Sequence, residues 1–545
     1  VLWLSGTGSI VAFTKTAGGY AAPAGYDYVL EEEGDGFTLT DLGSLQKRLF
    51  NAYGMLTGLE DIYGNRTTLS YDMDYRLSAI TSPSGKNYLV TLDEKNRIVQ
   101  IGLPDGNHIG YTYDRAGNLA AVTDAAGDRR SYTYDAEHRM TEWQDENGHC
   151  VVTNVYDAEG RVTEQTDAEG AVITLSYGEG STTAVDANGN TTVYTYDDQF
   201  RTTEIAYPDG TTESRAYNGE GYLSSVTDRQ GVTTAYTYDG NGNLLSQTRQ
   251  DGAVRHYAYT GDGQIASVTE YDGGVTAYAY DENHRLVSVT DAEGGVVRYG
   301  YDEQNRLVSK TDARGAVTSY TYEGACIVGM TDAEGSVWSF GYDAMNRLTR
   351  TTNPLGAVTT KTYNAKGWCV AETDAAGNSA VYTYDPAGAV TAITDREGQK
   401  SVFTYDRMNR MLLGKDPLGN TLAYTYDANG NRLTETDAEG HVTSYTYDAM
   451  NRQKKVTDPE GGETAYTYDR ADRVASVTDR LGHTRLVSYD AVTGSLLAET
   501  DERGNVTAYE TDVCGRATRI TYADGSIVAY GYDRLGRLTE VTDQL

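Results

Sequence analysis

Three kinds of side chain in this sequence could do chemistry: carboxylates set beside turns, seven histidines and four cysteines. One aspartate follows a tyrosine, as at Asp114, Asp239, Asp385 and Asp427, and another follows a threonine, as at Asp124, Asp291 and Asp437. Neighbouring carboxylates could exchange protons with a substrate or ligate calcium. These recur in unit after unit, each just before a turn, where a short acidic side chain accepts hydrogen bonds from turn N–H groups. The turn-acceptor role is therefore preferred to calcium, and no pair stands in a setting of its own that would suit acid–base catalysis. His138 and His284 fall in turns, and His108, His149, His256, His441 and His483 are dispersed with no HxH or HExxH spacing. Cys150, Cys326, Cys369 and Cys514 form no CxxC pair and suit neither a zinc site nor a disulfide framework. No serine sits in a GxSxG elbow, and Gly240-Asn-Gly242 lies between strand patterns rather than before a helix, which argues against phosphate binding. No catalytic, cofactor-binding or metal-ligating residue is assigned, and no cofactor is expected.

Bulk composition narrows the class further. The 545 residues carry 79 acidic and 45 basic side chains, a formal charge of −34. Such a surface repels phosphate backbones and anionic membrane faces, so nucleic acid is not an expected partner. Acidic disordered chains lack aromatics, whereas this one has 46 tyrosines, which argues for order. No run of 18 apolar residues occurs, so no membrane span is expected in this stretch. The chain opens on Val1 rather than methionine and stops at Leu545 in mid-pattern, and reads as an internal piece of a longer protein.

The elements that place these side chains follow from a period. Tyr238, Tyr259, Tyr280, Tyr301 and Tyr322 recur every 21 residues, as do Tyr363, Tyr384, Tyr405, Tyr426, Tyr447, Tyr468 and Tyr489. Extended outward, the register runs from Phe50 to Tyr532 and defines 24 units, the mark of a solenoid, propeller or array. Tyr424-Thr-Tyr426 alternates, placing both rings on one face of a strand, and Arg432-Leu-Thr-Glu-Thr436 alternates again. Each unit is thus two short strands joined by two turns. Four residues past the anchor stand Gly117, Gly242 or Gly430, Asn305 or Asn451, His138 or His284, or Asp472. These are the residue types that best tolerate positive φ. Fourteen past the anchor lies a second glycine, such as Gly127, Gly294 or Gly440. Length changes are expected in turns: two residues are missing between Tyr177 and Tyr196, and one is added near Val492-Thr493-Gly494. Residues 1–49 break the period and read as a β-rich lead-in, with strands expected at Tyr26–Leu30 and Gly36–Thr40. Residues 50–545 form the array.

With 46 tyrosines against six phenylalanines, a thick dry core is not expected. Tyrosine buries its ring while its hydroxyl keeps a partner, and rings on adjacent strands could stack in ladders. A sheet one layer thick is predicted. Some 48 strands at about 4.8 Å make a ribbon on the order of 230 Å long, and strand twist forces so long a ribbon to coil. Winding would let one turn of the coil pack on the next.

The units Tyr426-Asp-Ala-Asn-Gly-Asn-Arg-Leu-Thr-Glu-Thr-Asp-Ala-Glu-Gly440 and Tyr532-Asp-Arg-Leu-Gly-Arg-Leu-Thr-Glu-Val-Thr-Asp543 closely resemble the YD or RHS repeat, YDxxGRLxxxxDxxG. The resemblance covers about nine-tenths of the chain. That family includes bacterial RHS and wall-associated polymorphic toxins, the C component of insecticidal toxin complexes, and teneurins. It implies an all-β fold, a long antiparallel meander of about 24 two-stranded repeats coiled into a hollow β-spiral shell. In toxin members the shell encloses a C-terminal variable toxin domain, and a core segment after the repeats plugs the shell and cuts the chain. No residue here matches that segment.

The expected function is a non-catalytic shell of a secreted or cell-surface RHS-type toxin, outside the cytoplasm. Its expected partner is its own C-terminal toxin or cargo domain, lying outside this fragment. The alternative is an extracellular adhesin whose exposed tyrosines bind cell-surface glycans or other carbohydrate.

Overall fold

The computed structural model describes residues 1–5, 10–23, 26 and 28–544. Among them there is no helix, and the chain forms 54 strands. Leu2–Leu4 and Ile10–Ala12 pair as a small sheet of their own, and the other 52 strands belong to one antiparallel meander. By contacts the chain divides into two compact units. One comprises Val1–Ser131, Ala279–Ser288 and Val297–Val381; the other comprises Tyr132–Tyr278, Val289–Val296 and Tyr382–Leu545.

The repeat folds as its alternation dictates. Thr421–Tyr426 pairs antiparallel with Arg432–Thr436, which pairs in turn with Val442–Tyr447. Tyr424 and Tyr426 are half-buried and Thr425 is exposed, as strict alternation requires. At the anchor the ladder slips, so that Arg432 and Leu433 stand together opposite Tyr426. The same slip recurs at Tyr238, Tyr301 and Tyr468, and such bulges strengthen local twist.

Both turns have one design. Gly430 N–H donates to the Asp427 carbonyl at 3.1 Å, and the Asp427 N–H donates to the Asn431 carbonyl at 2.9 Å; Asp437, Gly440 and His441 repeat the pattern. The residue before the closing bond is left-handed, with φ of 85° at Gly430 and 84° at Gly440. Asn305, Asn451, His138, His284 and Asp472 adopt the same conformation at φ of 59° to 65°. So do Tyr75 and Phe200, at φ 60°, two bulky residues that the choice of turn-formers in the sequence did not anticipate.

Two length changes lie in turns as expected. Glu179–Gly180 makes a two-residue connection between Val172–Gly178 and Ser181–Val185, and the insertion lies in the loop closed by Asp490 and Ser495. A third does not. The extra residue between Tyr134 and Tyr156 is absorbed inside the strand Cys150–Tyr156, where the register skips between Trp143 and Gln144. A seven-residue strand holds it because a bulge needs only one unpaired position.

Burial follows the single layer. Among the described residues, a compact apolar cluster forms only in the lead-in, where Val11, Phe13, Leu30 and Leu39 are buried against Trp3, Tyr28, Phe37 and Phe50. Of the two strands expected there, Gly36–Asp41 is present, and Tyr28–Glu33 covers most of the other; Asp27 lies outside the described residues. Within the array the buried apolar side chains are isolated ones, such as Ala121, Ile205, Val268 and Ala392.

Candidate functional site

The carboxylates before the turns are turn acceptors. Asp437 Oδ1 accepts the N–H groups of Glu439 at 3.0 Å and His441 at 2.8 Å, and Asp93 Oδ1 accepts those of Lys95 and Arg97 at 2.8 and 2.9 Å. The backbone N–H of Arg97, followed by its guanidinium, holds the Asp93 carboxyl below the ordinary aspartate range. The backbone N–H of Arg76 does the same for Asp72, and the guanidinium of Arg201 for Asp197.

An arginine five residues past the anchor, to which the sequence reading gave no role, completes a clip between units. Arg410 Nε donates to Asp406 Oδ2 at 2.6 Å, four residues back. Its guanidinium carbon lies 4.9 Å from the centroid of the Tyr426 ring in the next unit, and its Nη1 reaches the Asp427 carbonyl at 3.5 Å. The Tyr426 hydroxyl then donates back to the Met411 carbonyl at 2.8 Å. Arg139 with Tyr156, Arg347 with Tyr363, Arg452 with Tyr468 and Arg516 with Tyr532 repeat the arrangement. The expected tyrosine-on-tyrosine ladder is thus replaced. Anchor rings lie on alternate strands, about 9.6 Å apart, and a guanidinium fills the gap with cation–π contact. Burial raises the Tyr426 hydroxyl pKa, which keeps it a donor. The same cover occupies ring faces that a sugar would need for stacking. The signal for the clip was present as the fixed Asp/Arg pair four apart, with tyrosine 16 residues beyond the arginine.

A second set of contacts joins turns far apart in sequence. In the unit containing Tyr132–Tyr278 and Tyr382–Leu545, the second turn of one repeat meets the first turn, after the anchor, of a repeat some 240 residues later. Asn188 Nδ2 donates to Asp427 Oδ2 at 2.9 Å, and Asn429 Nδ2 returns a bond to Asp186 Oδ2 at 2.7 Å. Asn147 donates to Asp385 at 3.0 Å. Arg229, its side chain only 10% exposed, pairs with Asp209 at 2.6 Å and Asp472 at 2.7 Å and lies over Tyr207. Arg516 pairs with Asp272 at 3.0 Å. In the other unit, Lys366 Nζ sits 2.7 Å from Asp124 and 2.8 Å from Asp128, and Asn305 donates to the Tyr63 carbonyl. Within each unit the ribbon therefore returns alongside itself, as winding predicted, and the two rows of turns form a seam. A cleft of about 460 Å³ lies on it, lined by Thr211, Arg229, Arg452, Tyr468 and Asp469 among others.

The remaining candidates lie apart. His441 and His483 face their own turn carboxylates, Asp437 at 3.0 Å and Asp479 at 3.2 Å, and His149 lies 3.4 Å from Asp145. Asp437, Glu439 and His441 place one ligand atom each within 4.8 Å of one another, at a largely exposed turn already committed to its own N–H groups. His108 and His256 stand in strands. The four cysteines are free thiols, and only Cys514 is exposed.

Comparison with known proteins agrees with this geometry. The RHS Repeat family model matches sixteen segments that together cover residues 93–149, 156–212, 217–254, 259–325, 327–484 and 512–543. No curated protein sequence matches the chain. Among solved structures, the crystal structure of TcdB2-TccC3-TEV aligns with 98% of this chain and 41% of its own at 12% identity and a TM-score of 0.69, which shows a shared fold. The crystal structure of TcdB2-TccC3 aligns with 98% of this chain and 34% of its own at 15% identity, with a TM-score of 0.38. The chain thus spans about two-fifths of the length of the first of these.

Proposed function

The chain belongs to the RHS-repeat family, and from that premise we propose that it is a non-catalytic wall that encloses a toxin or other cargo domain. That domain is the C-terminal part of a longer, secreted or cell-surface protein. The observation that carries the reading is the seam. A single-layer sheet whose turns stood apart would leak, whereas here turns about 240 residues apart close on one another side chain to side chain. Conserving the sheet as one layer spends few residues on a core and leaves the rest to span area. The lead-in, residues 1–49, carries a compact apolar cluster, and in this reading it caps the array of residues 50–545.

The test is proteolysis of the full-length protein. The segment that follows the array is expected to survive a protease that digests the same segment expressed alone. Digestion at equal rates, with the array still intact, would overturn enclosure.

A further inference from the structure

Ladder and seam are held by different chemistry. Along the ladder of the array, neighbouring strands pair over three to six residues, as in Ala423–Tyr426 with Arg432–Thr436. Across the seam, among the described residues, no main-chain donor hydrogen-bonds a main-chain acceptor; the bonds there involve at least one side chain each. Each turn pair contributes only one or a few such bonds. A strand, by contrast, is held by several main-chain bonds on each of its two edges. The charged groups are locally matched: Arg229 faces Asp209 and Asp472, the latter shared with Arg452, Lys366 faces Asp124 and Asp128, and Arg516 faces Asp272 and Asp512.

We propose that the seam is the parting line of the sheet: joined turns separate there reversibly while the strands on either side keep their ladders. Opening at low cost is expected where few contacts hold an element, and each joined turn is held by one or a few side-chain bonds where a strand has main-chain partners on both edges. This holds whatever the wall encloses.

Two main-chain amides report on it directly. Arg407 N–H donates to Glu169 Oε1 and Arg534 N–H to Glu293 Oε1, each at 2.9 Å across the seam. Met73 occupies the same turn position, two past its anchor, with a fully exposed side chain, and serves as the free-turn reference. Hydrogen exchange of the whole chain, followed by mass spectrometry in rising sub-denaturing urea, separates the cases. Arg407 and Arg534 are expected to exchange at least tenfold more slowly than Met73 without urea. With urea they are expected to reach the Met73 rate while Lys400–Tyr405 and Ile527–Tyr532 stay protected. Glu169→Ala is expected to bring Arg407 to the Met73 rate without changing those strands, and Glu169→Gln, which keeps the acceptor, to restore at least part of the protection. Loss of seam and strand protection in one step, or seam amides no slower than Met73, overturns the proposal. Because the readout is exchange rather than survival of a cargo, its failure is distinct from failure of enclosure.

Discussion

Each clip arginine makes three contacts that no other side chain could combine. Its flat fork meets a carboxylate edge-on, its face covers a ring, and a remaining N–H reaches a carbonyl, as Arg410 does with Asp406, Tyr426 and Asp427. Where asparagine replaces it, as at Asn431, the amide still donates to Asp427 Oδ2 at 2.9 Å and to Asn451 Oδ1 in the next unit at 2.8 Å, but it has no guanidinium face to lay over a ring. The preference for tyrosine over phenylalanine has the same local cause. Phenylalanine would serve equally under a guanidinium, but only tyrosine satisfies the carbonyl of the preceding unit. Tyr426→Phe is therefore expected to lower the opening free energy of Thr421–Tyr426 and Arg432–Thr436 by about 0.5–1.5 kcal/mol, the net worth of one hydrogen bond. Hydrogen exchange of those two strands measures it. An unchanged value would mean that the ring alone decides and that the bond to Met411 is incidental.

At the scale of the element, strands and turns were legible because they depend on neighbours in sequence. Tyr424-Thr-Tyr426 alternates, Gly430 and Gly440 occupy left-handed positions, and both follow from short-range sterics. Phe200 and Tyr75 were not legible, because their backbone is set by the hairpin around them rather than by their own preference. In Phe200 the pairing of Thr191–Tyr196 with Thr202–Ala206 and the Phe200 N–H bond to the Asp197 carbonyl force φ to 60°. The side chain, 88% exposed, gains little packing in return. A left-handed non-glycine residue costs about 1–2 kcal/mol, and glycine returns about 0.5–1 kcal/mol of that through unfolded-chain entropy. Phe200→Gly is thus expected to stabilise its hairpin by up to about 1 kcal/mol, read as slower exchange in Thr191–Tyr196. Faster exchange would show that the ring makes a stabilising contact there.

At the scale of the whole chain, what the sequence could not reveal is which turns meet. The pairing of Asn188 with Asp427 spans 239 residues and depends on small twists accumulated over some 23 strands, so a few degrees per strand would choose another partner. What composition does govern is the response to acid. Asp72, Asp93, Asp197, Asp239, Asp437 and Asp501 are all held below the ordinary aspartate range by turn N–H groups or by side chains of the same turn. A carboxyl whose folded pKa is depressed stabilises the fold fully above its unfolded value, about 3.9, and loses that contribution as pH falls toward the folded value. The same turn recurs through the array, so the losses accumulate over one narrow range rather than at one site. Charge acts at a different pH. The −34 formal charge at neutrality vanishes near the pI of about 4.5, where self-repulsion is least and association is favoured. Thermal midpoint followed by the β-sheet circular dichroism signal should therefore stay nearly level from pH 8 to about 5 and fall steeply below about 4. Light scattering should peak near the pI, before that fall. A midpoint that climbs steadily from pH 8 toward the pI of about 4.5 would mean that charge repulsion, and not the turn carboxylates, limits the stability of this sheet.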